Sequence, residues 1–296
     1  MASGWQPDKL LPGFEALQLE FPDDYDGAVV ATLVRLPAGD AARGAALYVH
    51  GFMDYFFQRH MAERFAMEGF AFYALDLRKH GRSLRPQQHP NFCKSVLEYF
   101  ADITRAIETI GAPVLLAAHS TGGLICSIYA HEGERRGDVR ALWLNSPFFD
   151  WHLPQLRRMQ VPFAAALGRV YPFLNDRSVV LPDYAEQLLA DGWEFDTRLK
   201  PIEGFPVYYG WVGAICDAHA KVHRGLAIGC PVLSMHSDEA DIVLNWRHIA
   251  RWSRNLGHDV TVLAFPGGYH DLVLSRPQIR EEVFRQLLVW AQRNVR

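Results

Sequence analysis

Residues 113–123 read Pro-Val-Leu-Leu-Ala-Ala-His-Ser-Thr-Gly-Gly, and no other stretch restricts the fold as much. From Val114 to Ala118 the apolar residues do not alternate with polar ones, as expected of a strand buried on both faces of a helix-covered parallel sheet. Gly122 and Gly123 let the chain reverse sharply, and Leu124, Ile125, Ile128 and Tyr129 then begin a helical pattern. Ser120 is thereby delivered to the carboxyl end of a buried strand, at a tight strand-to-helix turn.

The flanking sequence has the same rhythm. Strand-like Ala45–His50, helical Phe57–Met67, strand-like Ala71–Leu75, helical Ser95–Ile110 and the strand before Ser120 alternate, which predicts a parallel sheet with helical crossovers. Ahead of them, Phe14–Phe21 and Ala28–Leu36 flank the turn signal Pro22-Asp-Asp-Tyr-Asp-Gly and predict an antiparallel hairpin at a sheet edge. After a strand at Val139–Leu144 the alternation stops. Residues 151–228 hold helical patches, six prolines and the aromatics Trp151, Tyr171, Trp193, Tyr208 and Trp211, and read as an inserted helical segment without a strand of its own. The rhythm resumes with strand Pro231–Met235, helix Leu244–Asn255, strand Asp259–Phe265 and a final helix that Ser275 and Gln278 are placed to open as a capping box.

Across 296 residues, 49% are hydrophobic and 21% charged, the balance of a chain folded throughout. A net charge of −3 and the lack of a long basic cluster argue against nucleic acid as a partner. The N-terminus has neither a basic start nor a hydrophobic stretch, and no segment has the roughly 20 apolar residues that span a bilayer, so a soluble, cytoplasmic protein is expected. Cys93, Cys126, Cys216 and Cys230 are scattered without zinc or disulfide spacing and read as reduced, with Cys126 in the core.

A serine in this setting becomes a nucleophile when a base, an orienting acid and oxyanion donors are supplied. The base belongs in a loop after a late strand. Of thirteen histidines, His270 in Pro266-Gly-Gly-Tyr-His-Asp occupies that place. His119 points away from its neighbour Ser120 and reads as packing, and His50, His80 and His236 at strand ends read as structural. The acid belongs after strand 231–235, where Asp238, Glu239 and Asp241 are candidates. Asp241 is preferred because Ile242-Val243 anchors the loop onto the sheet, Asp238 is the alternative, and Glu239 reads as solvated. The oxyanion donors expected on this template are the N–H of Thr121, which follows the serine, and that of Phe52, after the early strand ending His50-Gly51. His50 and Gly51 are also candidate substrate-lining residues.

The stretch Asp76-Leu-Arg-Lys-His-Gly-Arg-Ser83 joins basic residues to a glycine but has no nucleotide-cradle spacing, and reads as a solvated, internally paired loop. No histidine, cysteine and carboxylate trio has metal-ligand spacing, and no cofactor is expected.

Taken together, His50-Gly51-Phe52, the Asp76–Ser83 pattern D-x-R-x-x-G-x-S, the elbow Ala118-His-Ser-Thr-Gly122 and Gly268-Tyr-His270 resemble the α/β-hydrolases, specifically the monoacylglycerol lipase, lysophospholipase and serine-aminopeptidase-like group. The elbow departs from the usual pattern in having alanine for its first glycine, and the usual strand-to-acid spacing lands on Ala240, one residue short of Asp241. The resemblance covers nearly the whole chain. It implies an α/β-hydrolase fold, mostly parallel with helices on both faces, with core residues 1–150 and 229–296 and a helical cap over 151–228. It also implies nucleophile Ser120, base His270 and donors Phe52 and Thr121, acting on a carboxylic ester with an apolar acyl or lipid-like group. Two alternatives stand beside this reading. One is amide or peptide cleavage, for which Asp183, Glu186, Asp191 and Glu194 would have to form a carboxylate cluster rather than a solvated helix face. The other is a ligand-binding homologue without chemistry.

Overall fold

The computed structural model describes residues 4–37, 43–177 and 182–295; Met1 to Ser3, the start of the N-terminal stretch, lie outside them. The chain opens with β1 (Gln6–Pro7), β2 (Glu15–Asp24) and β3 (Gly27–Arg35), paired antiparallel. The Asp26 N–H donates to Asp24 Oδ1 at 2.7 Å and closes the hairpin turn. There follow β4 (Gly44–Val49), α1 (Arg59–Met67), β5 (Phe70–Asp76), α2 (Phe100–Ile110), β6 (Val114–His119), α3 (Ser120–Glu132) and β7 (Val139–Asn145). Between β7 and the next long strand come α4 (Gln155–Val170), β8 (Asn175–Asp176), α5 (Pro182–Ala190), β9 (Val207–Tyr208) and α6 (Tyr209–Arg224). The chain ends with β10 (Val232–His236), α7 (Trp246–Ser253), β11 (Val260–Ala264) and α8 (Pro277–Asn294).

The main sheet runs β1-β2-β3-β5-β4-β6-β7-β10-β11. From β5 to β11 every neighbouring pair is parallel, with the antiparallel hairpin at one edge as its turn signal predicts. The absence of alternation in β6 has the anticipated cause. Val114, Leu116 and Ala118 enter one core with Leu47, Val49, Leu142 and Leu144, whereas Leu115 and Ala117 enter a second core with Ala46, Tyr48, Ala141 and Trp143 on the opposite face. Both faces are dry, so polar residues have no place on either.

Three local expectations fail. Residues 151–228 do contain a strand pair, β8 with β9, antiparallel through Asn175↔Tyr208 and Asp176↔Val207; two-residue strands carry no periodicity to read. The box expected at Ser275 and Gln278 does not form. Arg276 takes the N-cap position ahead of Pro277, whose ring presets the first helical φ and leaves no N–H to cap, while Ser275 Oγ accepts the Tyr269 N–H at 2.9 Å. A capping box instead joins Ser95 and Glu98. The Asp76–Ser83 loop is paired but not solvated: Asp76, Lys79 and Ser83 are fully buried. Asp76 accepts the N–H groups of Phe56 and Arg82 and pairs with the Arg82 guanidinium, which reaches Asp8 at 2.7 Å. Gly81 is required there, because a Cβ would stand 2.3 Å from Tyr55 Cβ.

On α4, Ala165 and Gly168 are buried, and a Cβ at Gly168 would meet Tyr209 O at 2.1 Å, so this face lies hard against the start of α6. The opposite face is apolar too. Leu156, Met159, Phe163, Leu167 and Val170, spaced by three and four residues, are all exposed, the inverse of a helix that turns its apolar stripe inward.

Candidate active site

Ser120 stands where β6 becomes α3, with φ of 51°. This left-handed conformation costs a side-chain-bearing residue about 1–3 kcal/mol and persists only where its surroundings impose it. Here the imposing contact is at Gly122: a Cβ would fall 2.3 Å from His50 O and 2.7 Å from Val49 O. The first turn of α3 is therefore seated directly on the end of β4, and the serine is forced outward. The elbow forms with Ala118, fully buried in the core, in the place of the usual glycine.

His270 approaches from the loop after β11. Its Nε2 lies 3.0 Å from Ser120 Oγ and its Nδ1 3.1 Å from Asp241 Oδ2. All three side chains are buried. Burial pushes the Asp241 carboxyl up, but the neighbouring His270 and the N–H groups of Leu244 and Val243 outweigh it and hold the pKa below the usual carboxylate value. An ionised carboxylate only accepts, so Nδ1 carries the proton and the Nε2 lone pair faces the serine hydroxyl. This geometry suits proton transfer from Oγ to an oriented imidazole.

The loop after β10 separates its carboxylates. Asp241 Oδ1 accepts the Val243 and Leu244 N–H groups at 2.8 and 2.9 Å, and of the expected apolar anchor Val243 packs against the core whereas Ile242 is exposed. Asp238 accepts from Ala240 and Gly267 N–H, while the imidazole is bonded by Asp241. Glu239 is exposed and pairs with Arg247.

Gly51, Phe52 and Thr121 line the pocket at Ser120. Thr121 belongs to the first turn of α3, where N–H groups lack intrahelical acceptors and the helix dipole favours negative charge. His50 does not line the pocket. Its Nε2 accepts the Leu77 N–H at 3.1 Å, its Nδ1 meets Gly51 O at 2.7 Å, and its ring packs on His80, so it braces the end of the strand. His236 likewise bonds its own loop through Ser237 O. His119 packs on the His270 ring at 4.7 Å, and burial pushes its pKa down to about 4, so it is a neutral wall of the site.

Several residues at the site have no local signal in the sequence. Asp271, buried next to His270, accepts from Asn145 at 2.7 Å and Gln58 at 3.1 Å, while Asn145 accepts the Leu272 N–H; this network fixes the loop that carries the imidazole. Tyr184 meets the His270 ring edge-on at 5.5 Å. Asp54 and Lys200, paired at 2.7 Å, line the pocket. The rest of the wall is mostly apolar, with Phe148, Trp151, Val207 and Trp211 among its members. Among the described residues no group of three or more histidine, cysteine or carboxylate side chains could hold a metal ion.

A helix-flanked parallel sheet that brings a serine, an imidazole and a carboxylate together at its carboxyl edge defines a serine hydrolase of the α/β-hydrolase fold. The family model described as serine aminopeptidase, S33, matches residues 40–276. The chain belongs to that family. It is 26% identical over 247 residues to the monoacylglycerol lipase of Mycolicibacterium smegmatis, covering 80% of this chain and 84% of the relative. Among solved structures, the monoacylglycerol lipase of Paleococcus ferrophilus is similar at 26% identity with a TM-score of 0.70, covering 87% of this chain and 97% of the other. A soluble variant of the Saccharomyces cerevisiae monoglyceride lipase, in complex with a substrate analogue, shares the fold with a TM-score of 0.76 at 18% identity, covering 94% and 96%.

Proposed function

We propose that the chain cleaves carboxylic esters of the monoacylglycerol type through an acyl-enzyme on Ser120. The observation that carries this reading is the bonded series Ser120, His270, Asp241 opening into a mostly apolar pocket. Ser120 Oγ attacks the ester carbonyl carbon as its proton passes to His270 Nε2, and Asp241 stabilises the imidazolium. The carbonyl oxygen becomes an oxyanion held by the Phe52 and Thr121 N–H groups. Collapse expels the alcohol, protonated by His270; water, deprotonated by the same imidazole, then releases the carboxylic acid. No step calls for a cofactor.

Residues 151–228 act as a cap over the 1–150 and 229–296 core, a reading supported by Trp151, Leu153, Tyr184, Val207 and Trp211, which line the pocket together with Ser120 and His270. The exposed apolar row on α4 suits an enzyme whose substrate lies in lipid aggregates. No helix among the described residues is long and apolar enough to cross a membrane, and all four cysteines are free, which fits work in a reducing compartment such as the cytoplasm.

Amide cleavage beside a free α-amine is less well supported. Asp183, Glu186, Asp191 and Glu194 are exposed and absent from the pocket wall, and the pocket carboxylate Asp54 is already neutralised by Lys200. Turnover of p-nitrophenyl esters of graded acyl length, set against aminoacyl p-nitroanilides, tests the assignment. Acyl esters are expected to be turned over with kcat/KM rising with chain length; anilides cleaved as fast or faster would reverse it.

A further inference from the structure

The loop after β4 is gripped by residues lying far along the chain, partner by partner and in reverse order. Phe52 stacks on Trp211 with ring centroids 3.9 Å apart. The Phe205 N–H donates to Met53 Sδ at 3.4 Å, Lys200 Nζ lies 2.7 Å from Asp54 Oδ1, and the Asp196 N–H donates to the Tyr55 hydroxyl at 2.7 Å. Phe57 then meets Phe195 at 5.5 Å. As the loop number rises from 52 to 57, the partner's falls from 211 to 195.

The ion pair is the charged tie in this series. Its side chains are 9% and 5% exposed, and the ammonium sits over the rings of Phe57, Tyr184 and Phe195. Each charge therefore depends on the other, because an unpaired one in such surroundings is strongly disfavoured. The ends of the loop are fixed elsewhere, at His50 through Leu77 and at Phe56 through Asp76. Between them Met53 holds a left-handed φ of 52°, a conformation that needs outside support.

We propose that Asp54 and Lys200 are positioning residues whose ion pair sets the loop so that the Phe52 N–H points at the oxyanion forming on Ser120. This rests on the ester-hydrolase reading above, in which that N–H is a donor. A donor acts only within about 2.7–3.1 Å of the place where charge develops, and a displacement of about 1 Å costs about 100-fold. The reverse-order contacts make 195–211 the template that holds the loop to such tolerances.

The test is the pair Asp54→Leu/Lys200→Met, which removes both charges together and leaves no unpaired one buried. Active sites are counted by fluorophosphonate end-point titration, and kcat and KM are measured on a short soluble ester alongside inhibition by a trifluoromethyl ketone, whose hemiketal oxygen mimics the oxyanion. The expected result is a fall in kcat per titrated site of about 10- to 100-fold, KM within twofold, and inhibitor affinity weakened by a similar factor. Asp54→Asn/Lys200→Gln, which keeps a hydrogen bond across the same gap, is expected to recover most of both. Unchanged kcat and inhibition, or a loss confined to KM, would overturn the proposal. Should the apolar pair leave no titratable sites, Trp211→Leu loosens the same loop at Phe52 without touching a charge and is read in the same way. A wild-type protein that neither hydrolyses esters nor takes the fluorophosphonate refutes the underlying reading; an active wild type with unimpaired variants refutes this inference alone.

Discussion

Asp241 Oδ2 lies 3.1 Å from His270 Nδ1, whereas Asp238, in the same loop, accepts the N–H groups of Ala240 and Gly267. One turn thus separates a buried carboxylate that orients an imidazole from a half-exposed one that ties the loop together. Substituting each in turn gives opposite outcomes. Asp241→Asn is expected to lower kcat by about 10⁴, because the amide no longer selects the Nδ1–H tautomer. Asp238→Asn is expected to stay within a few-fold of wild type. Steady-state turnover of a soluble ester reads both, and the reverse pattern would move the acid's role to Asp238.

The elbow gives a stability prediction. A methyl at Gly122 would collide with backbone oxygens of residues 49 and 50, which cannot swing aside as a flexible side chain would. Gly122→Ala is expected to destabilise the fold by about 3 kcal/mol, the upper range for overpacking, and to lower activity at temperatures where the protein remains folded. Urea denaturation with matched assays checks this, and a variant with a wild-type midpoint would mean that α3 seats less tightly on β4.

Stability should also fall on mild acidification. Burial pushes His80 down to about 3 and both His119 and His219 down to about 4. Between an unfolded-state value near 6.5 and these folded values the unfolded chain binds protons that the folded chain refuses, so stability drops as pH falls through that window. Asp241 acts further down: its folded pKa lies below 3.8, so its contribution is present above that value and is lost only as pH falls beneath it. A urea midpoint lower at pH 5 than at pH 7 is expected; an equal or higher midpoint at pH 5 would contradict it.

The exposed row on α4 separates aggregated from dissolved substrate. Met159→Ser/Phe163→Ser is expected to reduce turnover of a long-chain monoacylglycerol in micelles by about tenfold or more, since one lost apolar insertion is worth about 2 kcal/mol. Hydrolysis of a short soluble ester should be unaffected. Equal losses on both substrates would tie these residues to the pocket instead.

What could be read in the sequence, and what could not, follows from how far each interaction reaches. The Ser120 elbow announces itself because five consecutive apolar residues, two glycines and a helical pattern all lie within 17 residues. The edge hairpin is equally local. The Asp76–Ser83 loop misleads because its charges look solvated when counted along the chain, while Arg82 meets Asp8 across 74 residues. Lys200 and Asp54 are 146 residues apart, and neither belongs to a motif. The β8–β9 pair is too short to show a period, and the final helix takes its start from proline geometry rather than from the nearby serine.

Ser120 as nucleophile is tested by fluorophosphonate labelling of the folded protein with the modified residue located by peptide mass spectrometry, run beside ester turnover by Ser120→Ala. A single adduct on Ser120 is expected, with loss of both labelling and turnover in the variant. An unlabelled wild type, or a Ser120→Ala protein that still hydrolyses the ester at the wild-type rate, would contradict that role.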